Sequence, residues 1–118
     1  MSLKSTFTNA FRGLWLFITS EPNNRIHLSL ALLALAGGWI FHIETSEWLA
    51  LILSIGLVLS AEAFNASLEK LSDLVHKEHH PGIRAIKDIS AAAVLIAALV
   101  ALAVALVIFV PRLYALLA

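Results

Sequence analysis

The residues that could do chemistry in this chain are carboxylates set into an apolar run. From Ala61 the sequence reads AEAFNASLEKLSDLV. At about 100° per helical residue, Glu62, Asn65, Glu69 and Asp73 share one stripe about 80° wide. Ala, Leu and Phe take the opposite side. Glu62 is the deepest, about 10 Å from Glu69 along the axis. Ionisable groups at membrane depth are costly and normally face a bundle interior or polar cavity. A single buried Asn would suit helix association through hydrogen bonds. Three acids in line, with no base on that face, repel each other unless a cation or shared proton intervenes. The stripe therefore reads as a functional site.

Glu21 adds a fourth acid at the start of the first apolar run, at the depth of Glu69. Carboxylate oxygens of this kind suit a hard cation such as Mg²⁺, which usually keeps waters and substrate phosphates as further ligands. Arg25, one turn on, either pairs with Glu21 or meets a substrate. The segment HKEHHPGIRAIKD carries His76, His79 and His80, but no Cys and no clear further ligand, so loop histidines are a plainer reading than a zinc site. Pro81-Gly82 breaks the preceding helix. Lys87 and Asp88 then fall at or near the start of the third apolar run, where free N–H groups and the helix dipole favour an anion. Lys87 there serves either as a phosphate ligand or as a membrane-surface anchor. No G-x-x-x-x-G-K-[ST] loop occurs.

The elements that must position these residues follow from composition. The chain has 118 residues, 60% hydrophobic and 14% charged, against about 45–50% and 25% in an average soluble domain. A water-soluble globule this small cannot hide so much apolar mass. Length permits one domain. Zero formal net charge suggests no bulk attraction to nucleic acid, and the lack of cysteine excludes disulfides and a Cys nucleophile. Three stretches approach the roughly 20 apolar residues of a spanning helix. The sequence thus predicts transmembrane helices over 22–41, 48–70 and 88–110 in a single domain, 1–118. His27 and Ser29, at the start of the first, fall in the headgroup region. The third run ends at Pro111-Arg112, a stop signal with an interfacial cation.

Orientation follows from Lys and Arg. Lys4, Arg12 and Arg25 precede the first span; Lys70, Lys77, Arg84 and Lys87 lie between the second and third. Only Arg112 lies on the other side. This puts the N-terminus in the cytoplasm and the C-terminus outside, with Trp39 and Trp48 as interfacial anchors of the outer hairpin. Leu3, Phe7, Phe11, Leu14 and Ile18 recur at helical spacing, so 3–19 is expected to lie on the membrane as an amphipathic helix. Ser20-Glu21-Pro22 ends it. The fold class is all-α and integral to the membrane.

The block AEAFNASLEKLSDLV, followed by KDISAAAVL, resembles the prokaryotic diacylglycerol kinase family's E-x-x-N-x-x-x-E-x-x-x-D and A-K-D with a small-residue helix. The resemblance covers nearly the whole chain, and EPNNRIH and IFVPRL look closer to its undecaprenol kinase branch. It implies an ATP- and Mg²⁺-dependent lipid kinase of the bacterial inner membrane, acting on undecaprenol before diacylglycerol. It implies Glu62 as catalytic base and Glu21 with Glu69 as metal ligands. Around ATP it implies Glu21, Glu69, Glu78, His79, His80, Lys87 and Asp88, with Asn9 where some members carry an aromatic residue. Asn65, Asp73 and Arg25 remain as support or lipid contacts. The family is homotrimeric with sites shared between subunits; Ala91-Ala92-Ala93 and Gly37-Gly38 permit such close packing. The rival expectation is a small oligomeric proton or ion carrier using Glu62.

Overall fold

A computed structural model describes residues 2–20, 24–76 and 78–118. Its described residues form four helices: α1 (Leu3–Ser20), α2 (Asn24–Ile40), α3 (Thr45–Val75) and α4 (Pro81–Leu117). Pro22 and Glu21 lie outside the described residues. The α1 helix buries none of its side chains within the chain, and its Phe7, Phe11 and Leu14 are exposed. Its link to α2 is Asn24, buried, whose Nδ2 donates to the Phe17 carbonyl at 2.5 Å.

Among the described residues two helices, α3 and α4, are long and apolar enough to cross a membrane. They pack against each other along their length, and most of their large apolar side chains face outward. Such a surface suits hydrocarbon rather than water. At 17 residues α2 spans about 26 Å, short of the roughly 30 Å hydrocarbon thickness.

The buried apolar core lies at the α2–α3 turn, against the far end of α4. His42 adopts a left-handed φ of 53°, and the Ile43 N–H returns to the Gly38 carbonyl at 3.2 Å. Ile43, Leu51 and Ile108 form the buried core there, with Trp48 and Phe109 packed around them. Gly38 is required by this approach, because a Cβ would stand 2.8 Å from the Trp48 ring and 2.9 Å from Ile43 Cδ1. The Glu44 N–H donates to Glu47 Oε1 at 2.9 Å, satisfying one of the donors around the α3 N-terminus.

Two boundaries differ from the sequence expectation. Pro111 does not stop α4, which continues to Leu117. Proline removes the backbone donor that would meet the Val107 carbonyl and crowds the preceding turn, yet the helix absorbs this. The Arg112 side chain folds back onto the next carbonyl, donating from Nη1 to that of Ile108 at 2.8 Å. At its other end α4 begins at Pro81, capped by His80, whose Nδ1 accepts from the Gly82 N–H at 3.0 Å. Proline at the first helical position loses nothing, since that N–H has no helical partner. Lys87 and Asp88 are therefore about two turns inside the helix. The free N–H groups belong to the turn at 81–84, and the dipole argument does not reach Lys87.

Candidate active site

Helix α3 carries the stripe, and its neighbours supply what the stripe lacks. Glu62 is buried, 7% exposed, in a helix that is otherwise apolar at that level. Its Oε1 lies 2.8 Å from Nε2 of His27 on α2. Its Oε2 is buried and has no hydrogen-bond partner among the described residues. A buried polar atom left unpaired is uncommon, and a catalytic role is one of the explanations for it.

One turn on, Asn65 Oδ1 accepts from the Ser90 hydroxyl of α4 at 2.5 Å, with the Lys87 carbonyl a second acceptor at 3.1 Å. Ser90 is itself buried, so this bond fixes the Asn65 amide and ties α3 to α4. Two turns beyond, Lys87 Nζ donates to Asp73 Oδ1 at 2.6 Å. Asp73 is largely exposed and Lys87 half-buried, so the pair stabilises by about 1 kcal/mol or less while holding the ammonium at the polar end of the stripe. Glu69 stands between these contacts, half-buried. The bases missing from the α3 face thus come from α2 and α4.

The remaining candidate positions lie around this cluster. Asp88, about 100° round from Lys87, pairs with exposed Arg84 at 3.3 Å. Glu78, His79 and His80 form the exposed loop between α3 and α4. His80 is held by its capping bond, and the His76 ring packs 5.3 Å from it, with Nδ1 3.0 Å from the Glu78 carbonyl. Asn9 lies on exposed α1, and Arg25 on the first turn of α2, where its carbonyl accepts from Ser29 Oγ. Glu21 lies outside the described residues. Among the described residues no three His, Cys, Asp or Glu side chains gather as a metal cage.

Two residues of the cluster were not legible beforehand. His27 is one imidazole at the beginning of an apolar run, indistinguishable by pattern from a headgroup residue. Ser90 sits where a small residue serves helix packing equally well. Only the pairing of α2, α3 and α4 reveals either one.

At the opposite end of α3 and α4, Arg112 grips Glu47 through Nη2–Oε1 at 2.6 Å and Nη1–Oε2 at 2.7 Å. Both side chains are about three-quarters buried, and they lie outside the apolar stretches 48–70 and 88–110. The Arg112 hydrogen bonds, helped by the Glu44 N–H, hold the Glu47 carboxyl below its usual range and raise the guanidinium in turn. This pair is a clamp distant from the acidic stripe.

Comparison with known proteins matches residues 8–109 to the family described as prokaryotic diacylglycerol kinase. An undecaprenol kinase of Bacillus subtilis (strain 168) is 34% identical over 108 residues, covering 92% of this chain and 88% of that protein. A diacylglycerol kinase of Synechocystis sp. (strain PCC 6803) is 30% identical over 116 residues, 98% of this chain. The chain spans 66% of that second relative's length. No solved structure matches at a significant level.

Proposed function

The chain belongs to the prokaryotic diacylglycerol kinase family, and on that premise we propose that it transfers the γ-phosphate of ATP to a membrane lipid alcohol. Undecaprenol is the favoured acceptor and diacylglycerol the second. The observation that carries this reading is Glu62, buried, with one oxygen held and the other unpaired. A carboxylate so disposed is ready to accept one proton from a substrate hydroxyl.

The lipid hydroxyl attacks the γ-phosphorus, and its proton passes to Glu62 Oε2. The new oxygen–phosphorus bond forms as the bond to the β,γ-bridging oxygen breaks, and ADP leaves. Lys87, held by Asp73, neutralises charge on the phosphoryl oxygens, the kind of positioning and electrostatic work that dominates phosphoryl transfer. Asn65, fixed by Ser90, sets a polar amide on the α3 face between Glu62 and Glu69. Asn9, Glu78, His79, His80 and Asp88 surround the nucleotide at the water-facing end, and Arg25 lies toward the lipid headgroup.

The donor set fits Mg²⁺. Glu69 and Glu21 offer carboxylate oxygens only, and this ion is commonly held by one or two carboxylates plus substrate phosphates rather than by a full protein cage. When bound it supplies charge neutralisation at the phosphate oxygens.

The same reading places the site at the cytoplasmic face of the bacterial inner membrane. The N-terminus is inside, α2 is the first of three spanning helices, and the protein is a homotrimer whose sites are shared between subunits. The carrier alternative has no support from the relatives, both of which are named as kinases. The test is transfer of labelled γ-phosphate from ATP to undecaprenol and diacylglycerol, side by side, by detergent-purified protein with Mg²⁺. Labelled undecaprenyl phosphate is expected in excess. No transfer to either lipid contradicts the proposal.

A further inference from the structure

His27 contributes to two environments at once. Its Nε2 lies 2.8 Å from Glu62 Oε1. It also lines a cavity of about 320 Å³ between α2, α3 and α4, whose other walls include Leu30, Ala34, Ile55, Leu59, Ala98 and Leu102. Among the residues lining that cavity His27 is the one with an ionisable side chain; Ser54, the other polar group there, spends its hydroxyl on the Leu51 carbonyl at 2.9 Å. A lipid-facing apolar space and a buried carboxylate therefore meet at a single imidazole.

The two Glu62 oxygens are not equivalent. Oε1 has the His27 contact, and Oε2 has no partner among the described residues. A free carboxylate rotates about its last torsion, whose preference is broad and roughly two-fold. A hydrogen bond to one oxygen removes that freedom and decides which lone pairs face a reactant. With Glu62 ionised, the contact requires the proton on Nε2, so His27 is the donor and Oε1 the acceptor.

The geometry points to His27 as the positioning residue of the transfer reaction: it holds Glu62 by Oε1 so that Oε2 receives the proton of the acceptor hydroxyl. This rests on the lipid-kinase reading above. His27 touches neither the reacting atoms nor the nucleotide and works through Glu62 alone. Its loss leaves the base present but unoriented, and misplacement of a reacting group by about 1 Å can cost about a hundredfold in rate. ATP binding, which uses the polar end of the stripe, is untouched.

The experiment compares wild type, His27→Ala and His27→Gln as detergent-purified full-length protein, assayed for initial rates of labelled phosphate transfer to undecaprenol and to diacylglycerol. Glutamine retains an N–H donor at about the reach of Nε2. His27→Ala is expected to lower kcat by about tenfold to a hundredfold with KM for ATP within about twofold of wild type. His27→Gln is expected to recover kcat to within about threefold of wild type. An alanine variant with unchanged kcat, a rise in KM for ATP in place of a fall in kcat, or alanine and glutamine variants equally impaired would each overturn the assignment. Absence of transfer by the wild type is a different failure: it removes the kinase reading, and with it the base that His27 orients.

Discussion

Glu47 and Arg112, sixty-five residues apart in sequence, close one end of the α3–α4 pair with two contacts of 2.6 and 2.7 Å. Asp73 and Lys87 close the other at 2.6 Å. The 26 residues from Glu47 to Asp73 and the 25 from Lys87 to Arg112 rise about 39 and 38 Å. The two ion pairs thus bracket nearly equal lengths of antiparallel helix. That length exceeds the roughly 30 Å hydrocarbon core and approaches its roughly 40–45 Å total with headgroups. Between the two pairs Glu69, Lys70 and Asp88 all lie within six residues of the Asp73–Lys87 end, and Glu62 is the buried acid set deeper into the apolar stretch.

The clamp has a pH signature. Arg112 lowers the Glu47 carboxyl in the folded chain, so the unfolded chain binds its proton more readily. The stabilisation is complete above the ordinary glutamate range and is lost as pH falls through the lowered folded value. Glu47→Gln is expected to melt below wild type at pH 7 in detergent. The gap should narrow as pH is taken below about 4. Thermal unfolding of both proteins across that range checks the sign.

Gly38 is a packing prediction. An added Cβ meets the rigid Trp48 ring at 2.8 Å. Gly38→Ala is expected to destabilise by about 1–3 kcal/mol from overpacking, partly offset by about 1 kcal/mol of helix propensity. Gly13, with nothing within 4 Å, has only the second effect. Melting temperatures of the two variants should therefore move in opposite directions.

At the polar end, Lys87 and Asp73 should separate in their consequences. Lys87→Met removes the cation proposed to face the phosphoryl oxygens and is expected to lower kcat by about 10²–10³-fold. Asp73→Asn only loosens the lysine, an exposed pair worth about 1 kcal/mol or less, and should cost less than about tenfold. Steady-state rates at saturating ATP make the comparison.

Glu69 is the proposed metal ligand. Glu69→Gln should raise the Mg²⁺ concentration for half-maximal rate by at least about tenfold, on the scale seen when metal-site groups are removed. Titration of Mg²⁺ at fixed ATP measures it, with Glu62→Gln binding the nucleotide–metal complex as wild type does.

The helical period made the acidic stripe readable, because four polar residues at spacings of three and four leave little choice of face. Composition likewise exposed α3 and α4 as helices long and apolar enough to cross a membrane. What the period could not carry is contact between helices. His27 to Glu62, Asn65 to Ser90 and Glu47 to Arg112 join residues 35, 25 and 65 positions apart, and each partner alone looks ordinary. Helix ends were misjudged where local chemistry overrode a rule. Pro81 starts α4 early because His80 caps it, and α4 runs through Pro111 to Leu117 with the loss of one backbone bond.

The most direct test of the account is Glu62→Gln, assayed in one preparation for phosphate transfer to undecaprenol and for binding of Mg²⁺ and a non-hydrolysable ATP analogue. Transfer is expected to fall by at least about 10²-fold, the low end of what a general base supplies, while nucleotide and metal affinities stay near wild type. Transfer retained within about threefold of wild type, or lost only because nucleotide or metal no longer binds, would contradict it.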